Sequence, residues 1–111
     1  MEYLSLDIPV HAWLGIDACA DNAMAVDVVE SLMESVFAGA AVREAGWRAA
    51  SEYDGELDPF GWPPTQHPLR IVLRRSHWDW VLEQLDRWTP YEHGETLPAV
   101  RDFVRGELER S

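Results

Sequence analysis

Leu4-Ser5-Leu6-Asp7-Ile8-Pro9-Val10-His11-Ala12-Trp13-Leu14-Gly15-Ile16 places an apolar side chain at every second position. Seven such positions in period two predict a strand with one buried face, because successive strand side chains point to opposite sides of a sheet. Pro9 has no N–H to offer a ladder, so the ribbon belongs at a sheet edge or divides there into two shorter strands. On this reading Leu4, Leu6 and Ile8 point under the helices, and Tyr3, Asp7, His11 and Trp13 occupy the reverse face.

Beyond the ribbon, Asp21 or Asn22 can cap a helix whose stripe runs Ala25, Val29, Leu32, Val36 and Ala40 at helical spacing, with Asp27, Glu30 and Glu34 on the other side. Glu44-Ala45-Gly46-Trp47 places glycine where a left-handed residue ends a helix, which predicts a stop at Ala45 and lets Trp47 pack back on it. Trp47–Tyr53 then reads as a second strand, closed by the Asp54-Gly55 turn signal. Residues 56–68 hold four of the seven prolines and read as an irregular loop. Leu69–Arg74 follows as a third strand. Ser76 with Asp79 marks the start of a helix over His77–Trp88, and Thr96 caps a last helix facing inward through Leu97, Val100, Phe103, Val104 and Leu108. The order β-α-β-β-α-α predicts an α+β fold. It is a three-stranded sheet, four-stranded if the ribbon divides, with helices on one face and a single domain over 1–111.

The 111 residues carry 20 acidic and 9 basic side chains, a net charge of -11, and all nine cations are arginine. Twelve of the acids but only Arg43 and Arg48 lie in residues 1–60, so the first half is strongly negative. Such a field repels phosphate backbones and anionic lipid, which disfavours direct nucleic-acid or membrane binding and leaves a protein with a basic surface as the compatible partner. Six Trp, three Tyr and three Phe supply the apolar area that disordered acidic chains lack. The first residues lack the basic and apolar regions of a secretory leader, no apolar run nears the roughly 20 residues of a membrane span, and Cys19 is the only cysteine. These features predict a cytoplasmic protein. Abundant alanine and the use of arginine for lysine are what a GC-rich bacterial genome encodes.

No catalytic constellation is legible. The histidines are His11, His67, His77 and His93, and the nearest ligand pairs, His77 with Asp79 and His93 with Glu95, stand two apart, where helical side chains diverge. Ser76 beside His77 cannot aim its hydroxyl at the imidazole, and Gly-rich phosphate loops are absent. Cys19 sits near Asp17 and Asp21, which raise a thiol's pKa, and Asp54, Glu56 and Asp58 flank a turn where carboxylates stay solvated. The expectation is no catalytic residue, no metal and no cofactor.

Binding is better supported. The reverse face of the predicted sheet mixes His11 and Trp13 with Arg70 and Arg74, a combination enriched in protein interfaces. Trp80 falls off the buried stripe of its helix, so it needs a cover from the 56–68 loop or from another chain. The chain therefore reads as a non-enzymatic interaction or regulatory module that self-associates, with a homodimer as the simplest form, or that acts as an acidic decoy for a basic protein. The alternative is a small enzyme or small-molecule binder with a pocket between the 56–68 loop and the sheet, using His67, His77 and Arg70 among tryptophans such as Trp62.

Overall fold

The period-two pattern holds only as far as Pro9. The computed structural model, which describes residues 2–92 and 94–111, has a strand β1 over Tyr3–Pro9 that passes directly into a helix α1 over Val10–Val29. Proline suits that junction, since its fixed φ of -62° and missing N–H cost nothing where the helix begins. From Val10 onward the buried positions are Ala12 and Trp13, Ile16, Cys19 and Ala20, Ala23 and Asp27, which is the spacing of one helix face. Counting Trp13 among the core residues instead of on a reverse face converts the pattern from period two to period 3.6.

Helix α2 covers Met33–Ser51, and α1 and α2 form an antiparallel hairpin around a tight turn at Glu30-Ser31-Leu32. Ser31 adopts φ +59°, its N–H donates to Val28 C=O at 3.1 Å, and Leu32 N–H donates to Asp27 C=O at 2.9 Å. These are the two bonds of a Schellman ending, with serine where glycine is usual. Ser31→Gly is expected to raise stability by about 1 kcal/mol by removing the left-handed strain, and a thermal melt checks it. An unchanged or lower midpoint would refute the turn geometry.

The predicted break at Gly46 and the strand at Trp47–Tyr53 do not form; α2 runs through both. Gly46 is buried where α2 crosses α1, and a Cβ there would lie 2.6 Å from Trp13 Cε2. Glycine at this position serves close packing, not chain reversal. Arg48, Ala49 and Ala50 favour the helix, and burial of the two alanines continues it to Ser51. Trp47 does not pack back but stays half exposed, beneath the Arg43 guanidinium at 5.1 Å.

The sheet consequently has two strands, not three or four, among the described residues: β1 pairs antiparallel with β2, Pro68–Arg74. The expected sidedness holds from Tyr3 to Asp7 and along β2. Leu6, Ile8, Leu69, Ile71 and Leu73 are buried, whereas Tyr3, Asp7, Arg70, Val72 and Arg74 are exposed. Helix α3 spans Arg75–Trp88, a 3-10 turn follows at Thr89–Tyr91, and α4 spans Thr96–Arg110. Neither predicted cap makes a side-chain bond; instead the Glu92 carboxylate accepts from Leu97 N–H at 2.8 Å near the start of α4. Trp13 and Trp78 centre the core, each fully buried, and Trp78 Nε1 donates to Leu4 C=O at 3.0 Å, tying α3 to β1. No described helix is long and apolar enough to cross a membrane.

Candidate functional site

The turn end of the α1–α2 hairpin gathers the features that packing alone leaves unused. Val26, Val28, Val29, Leu32, Met33 and Phe37 are all exposed there, with Phe37 at 66% and Val29 at 79%. Leu32 and Phe37 border an open cleft of about 770 Å³ between the hairpin and α3, whose other walls include Asp27, Ser35, Trp80 and Arg87. Exposed Glu34 and Glu83 line the cleft, with exposed Arg74 at its border, and exposed Glu30 stands at the turn. Apolar patches rimmed by charge mark interaction surfaces, since water is expelled from the centre while the rim sets partner choice.

Beneath this surface lies a polar network. Asp27 is 3% exposed and accepts both guanidinium nitrogens of Arg87, at 3.1 and 3.0 Å, and the Ser35 hydroxyl at 2.6 Å. Trp80 Nε1 donates to Ser35 Oγ at 3.1 Å, while Gln84 Oε1 accepts from Arg87 and from Trp88 Nε1. The Arg87 guanidinium bonded to Asp27 holds that carboxyl below the usual range, with Ser35 adding to the effect against the opposing cost of burial. The two-pronged pairing fixes the C-terminal end of α1 on α3, and the Ser35 link brings in the start of α2. Asp27, read in the sequence as one of a solvated trio, is the centre of this network. The signal that could have found it is its place in the Ala20, Ala23 and Asp27 spacing of the buried face.

The residues expected to bind separate into several groups. Trp13 is core, not interface, because it belongs to α1; its Nε1 is buried without a hydrogen-bond acceptor. His11 is exposed at the start of α1, where its N–H donates to Thr65 C=O at 3.0 Å. Trp62 is buried as part of the hydrophobic core, and Asp58 Oδ1 accepts the backbone N–H of both Phe60 and Trp62 at 2.9 Å. His67 stacks on Tyr53, with centroids 4.5 Å apart. His77 lies beyond the other end of β2, its pKa lowered by partial burial and by Arg74. Trp80 is covered within the chain, but by Ser35 and Gly39 of α2 instead of the 56–68 loop.

Arg70 and Arg74 remain exposed on the outer sheet face, as expected. With His77 they line a second cleft of about 320 Å³ between β2 and α2. Neither cleft includes a residue of 56–67, and the pocket expected between that loop and the sheet is absent from both. Cys19 is buried and its thiol is pushed up to about 11, first by burial and then by Glu92, which makes it a poor nucleophile. Among the described residues no three His, Cys, Asp or Glu converge as metal ligands; His93 lies outside them. Comparison with protein-family models, curated proteins and solved structures finds no match. The chemistry of the surface therefore carries the functional reading.

Proposed function

We propose that the protein is a non-enzymatic interaction module that binds a basic, amphipathic segment of another protein at the turn end of the α1–α2 hairpin. The supporting observation is the group of six exposed apolar side chains within residues 26–37, beside Glu30, Glu34 and Glu83, in a chain of net charge -11. An apolar stripe on the partner would cover Leu32 and Phe37, and its flanking cations would meet the carboxylate rim. Self-association through the same surface, as a homodimer, is the second reading, favoured by the apolar area alone. Salt separates the two, because screening weakens attraction to a basic partner but relieves repulsion between two acidic copies. Neither cleft is lined by residues 56–67, beside which the small-molecule reading places its pocket.

Isothermal titration with a short Leu/Lys amphipathic helical peptide is expected to show binding that weakens with salt, and the matched Leu/Glu peptide none. Phe37→Asp should lower the affinity at least about tenfold, as loss of a central anchor does. Equal binding of both peptides, or an unchanged affinity in Phe37→Asp, would overturn the reading. Sedimentation without peptide reports the alternative as a dimer that strengthens with salt.

A further inference from the structure

The second cleft borders a strand edge, and the hydrogen-bond register determines which backbone groups face it. Val10 N–H donates to His67 C=O and Arg75 N–H to Glu2 C=O, continuing the ladder at both ends. Glu2 and Val10 are therefore in hydrogen-bonded pairs, and antiparallel pairing alternates, so Leu4, Leu6 and Ile8 bond Leu73, Ile71 and Leu69. The N–H and C=O groups of Arg70, Val72 and Arg74 consequently point away from β1, toward the free edge of β2. Pro68 and Pro9 form the unbonded pair at one end, where Pro68 offers that edge no donor.

Helix α2 runs beside this edge, with the small side chains of Ala41 and Ala45 lining the cleft. The cleft carries Arg48, Arg70 and Arg74 beside Glu44 and Glu52, and Arg48 pairs with Glu44 at 2.7 Å. Arg70 is paired with Asp7 across the sheet at 3.3 Å, but Arg74 stands opposite Tyr3 and makes no ion pair among the described residues. A strand added at this edge sets its own side chains beside Arg70, Val72 and Arg74, where opposite charges stabilise and like charges repel. A second copy of β2 paired about Val72 would place Arg70 opposite Arg74. The charge pattern thus rejects that self-pairing and fits a strand with acid, apolar and acid at alternate positions.

We propose that the free edge of β2 is a strand-addition site for an extended acidic peptide segment of a partner protein, bonded through the backbone of Arg70, Val72 and Arg74 and selected by Arg70 and Arg74. This mode draws affinity from main-chain bonds and specificity from alternate side chains. Arg74 and His77 border both clefts, but the main-chain bonds lie on the β2 edge alone, so protection of the Arg70, Val72 and Arg74 amides tests this site separately from the hairpin end.

The test uses the full chain and the capped probe acetyl-Glu-Val-Val-Val-Glu-amide, followed by NMR-detected hydrogen exchange. At saturation the amides of Arg70, Val72 and Arg74 are expected to exchange at least about tenfold more slowly. N-methylation of the central valine should abolish this protection, and the Lys-for-Glu peptide should bind at least about tenfold more weakly. Arg74→Glu should reverse the preference, so that the Lys peptide binds better than the Glu peptide. That reversal requires a folded variant, which its dispersed spectrum verifies. No protection at saturating peptide, protection that survives N-methylation, equal binding of the two peptides, or a folded Arg74→Glu that keeps the original preference would each overturn the proposal. Protection that rises with protein concentration alone would assign the edge to a second copy and overturn it as well.

Discussion

Asp27→Ala is expected to destabilise the protein by about 3 kcal/mol, among the largest effects of any single side-chain removal outside the aromatic core. The substitution strips Arg87 of both its carboxylate bonds and leaves the Ser35 hydroxyl without its acceptor. Arg87 keeps about a third of its side chain in solvent, which holds the cost toward the low end for a broken buried pair. Replacing Asp27 and Arg87 together by leucine should recover much of the loss, because no unpaired charge then remains. Chemical denaturation of the single and double variants measures both effects. A loss under about 0.5 kcal/mol for Asp27→Ala would show that the pair does not hold the helices together.

The same pair sets an acid limit. Because the folded-state pKa of Asp27 is lowered, its contribution is fully present above the unfolded value, about 4, and is lost as pH falls through the lowered value. Stability of the native protein should therefore decline below about pH 4 more steeply than that of Asp27→Asn, with the two curves parallel at neutral pH. Parallel curves throughout would mean that Asp27 titrates alike in both states.

Gly46→Ala should cost about 2 kcal/mol net, even though alanine in a helix interior is ordinarily favoured over glycine by about 1 kcal/mol. The new methyl would press on the indole of Trp13, which is fully buried and cannot swing aside without moving α1. A fall in melting temperature on the order of 10 °C is expected for a chain of this size. Trp13→Phe shortens the ring on that side, so the double variant should lose less than the two single losses combined. A rise in melting temperature for Gly46→Ala would mean that the helices can separate freely at this crossing.

These two positions show what was legible in the chain and what was not. The strand Leu69–Arg74, the helices at 77–88 and 96–108, and the sidedness of Tyr3 to Ile8 follow from local spacing, and the structure bears them out. Val10–Ile16 fits either period because Val10, Ala12 and Ile16 satisfy both, and the burial of Trp13 with the exposure of Leu14 distinguishes them. Gly46 carries the same signal whether it ends a helix or admits a neighbouring ring, and the choice depends on Trp13, 33 residues upstream. Asp27 looks solvated until Arg87 supplies its partner, 60 residues further along. Of the candidate binding residues, Arg70 and Arg74 kept the exposed position that strand alternation implied. Trp13 and Trp62 proved to be structural, since large aromatic rings fill the interior of a small domain first.

The pairing of β1 with β2 closes a chain loop that contains both long helices, since Pro9 meets Pro68 and Tyr3 meets Arg74. During synthesis the first strand leaves the ribosome with Leu4, Leu6 and Ile8 unmatched, and roughly 5 s of elongation separate it from its mate. The α1–α2 hairpin, made of near neighbours, can form within that interval, whereas the ribbon must wait. The sheet therefore closes after the hairpin that it encloses.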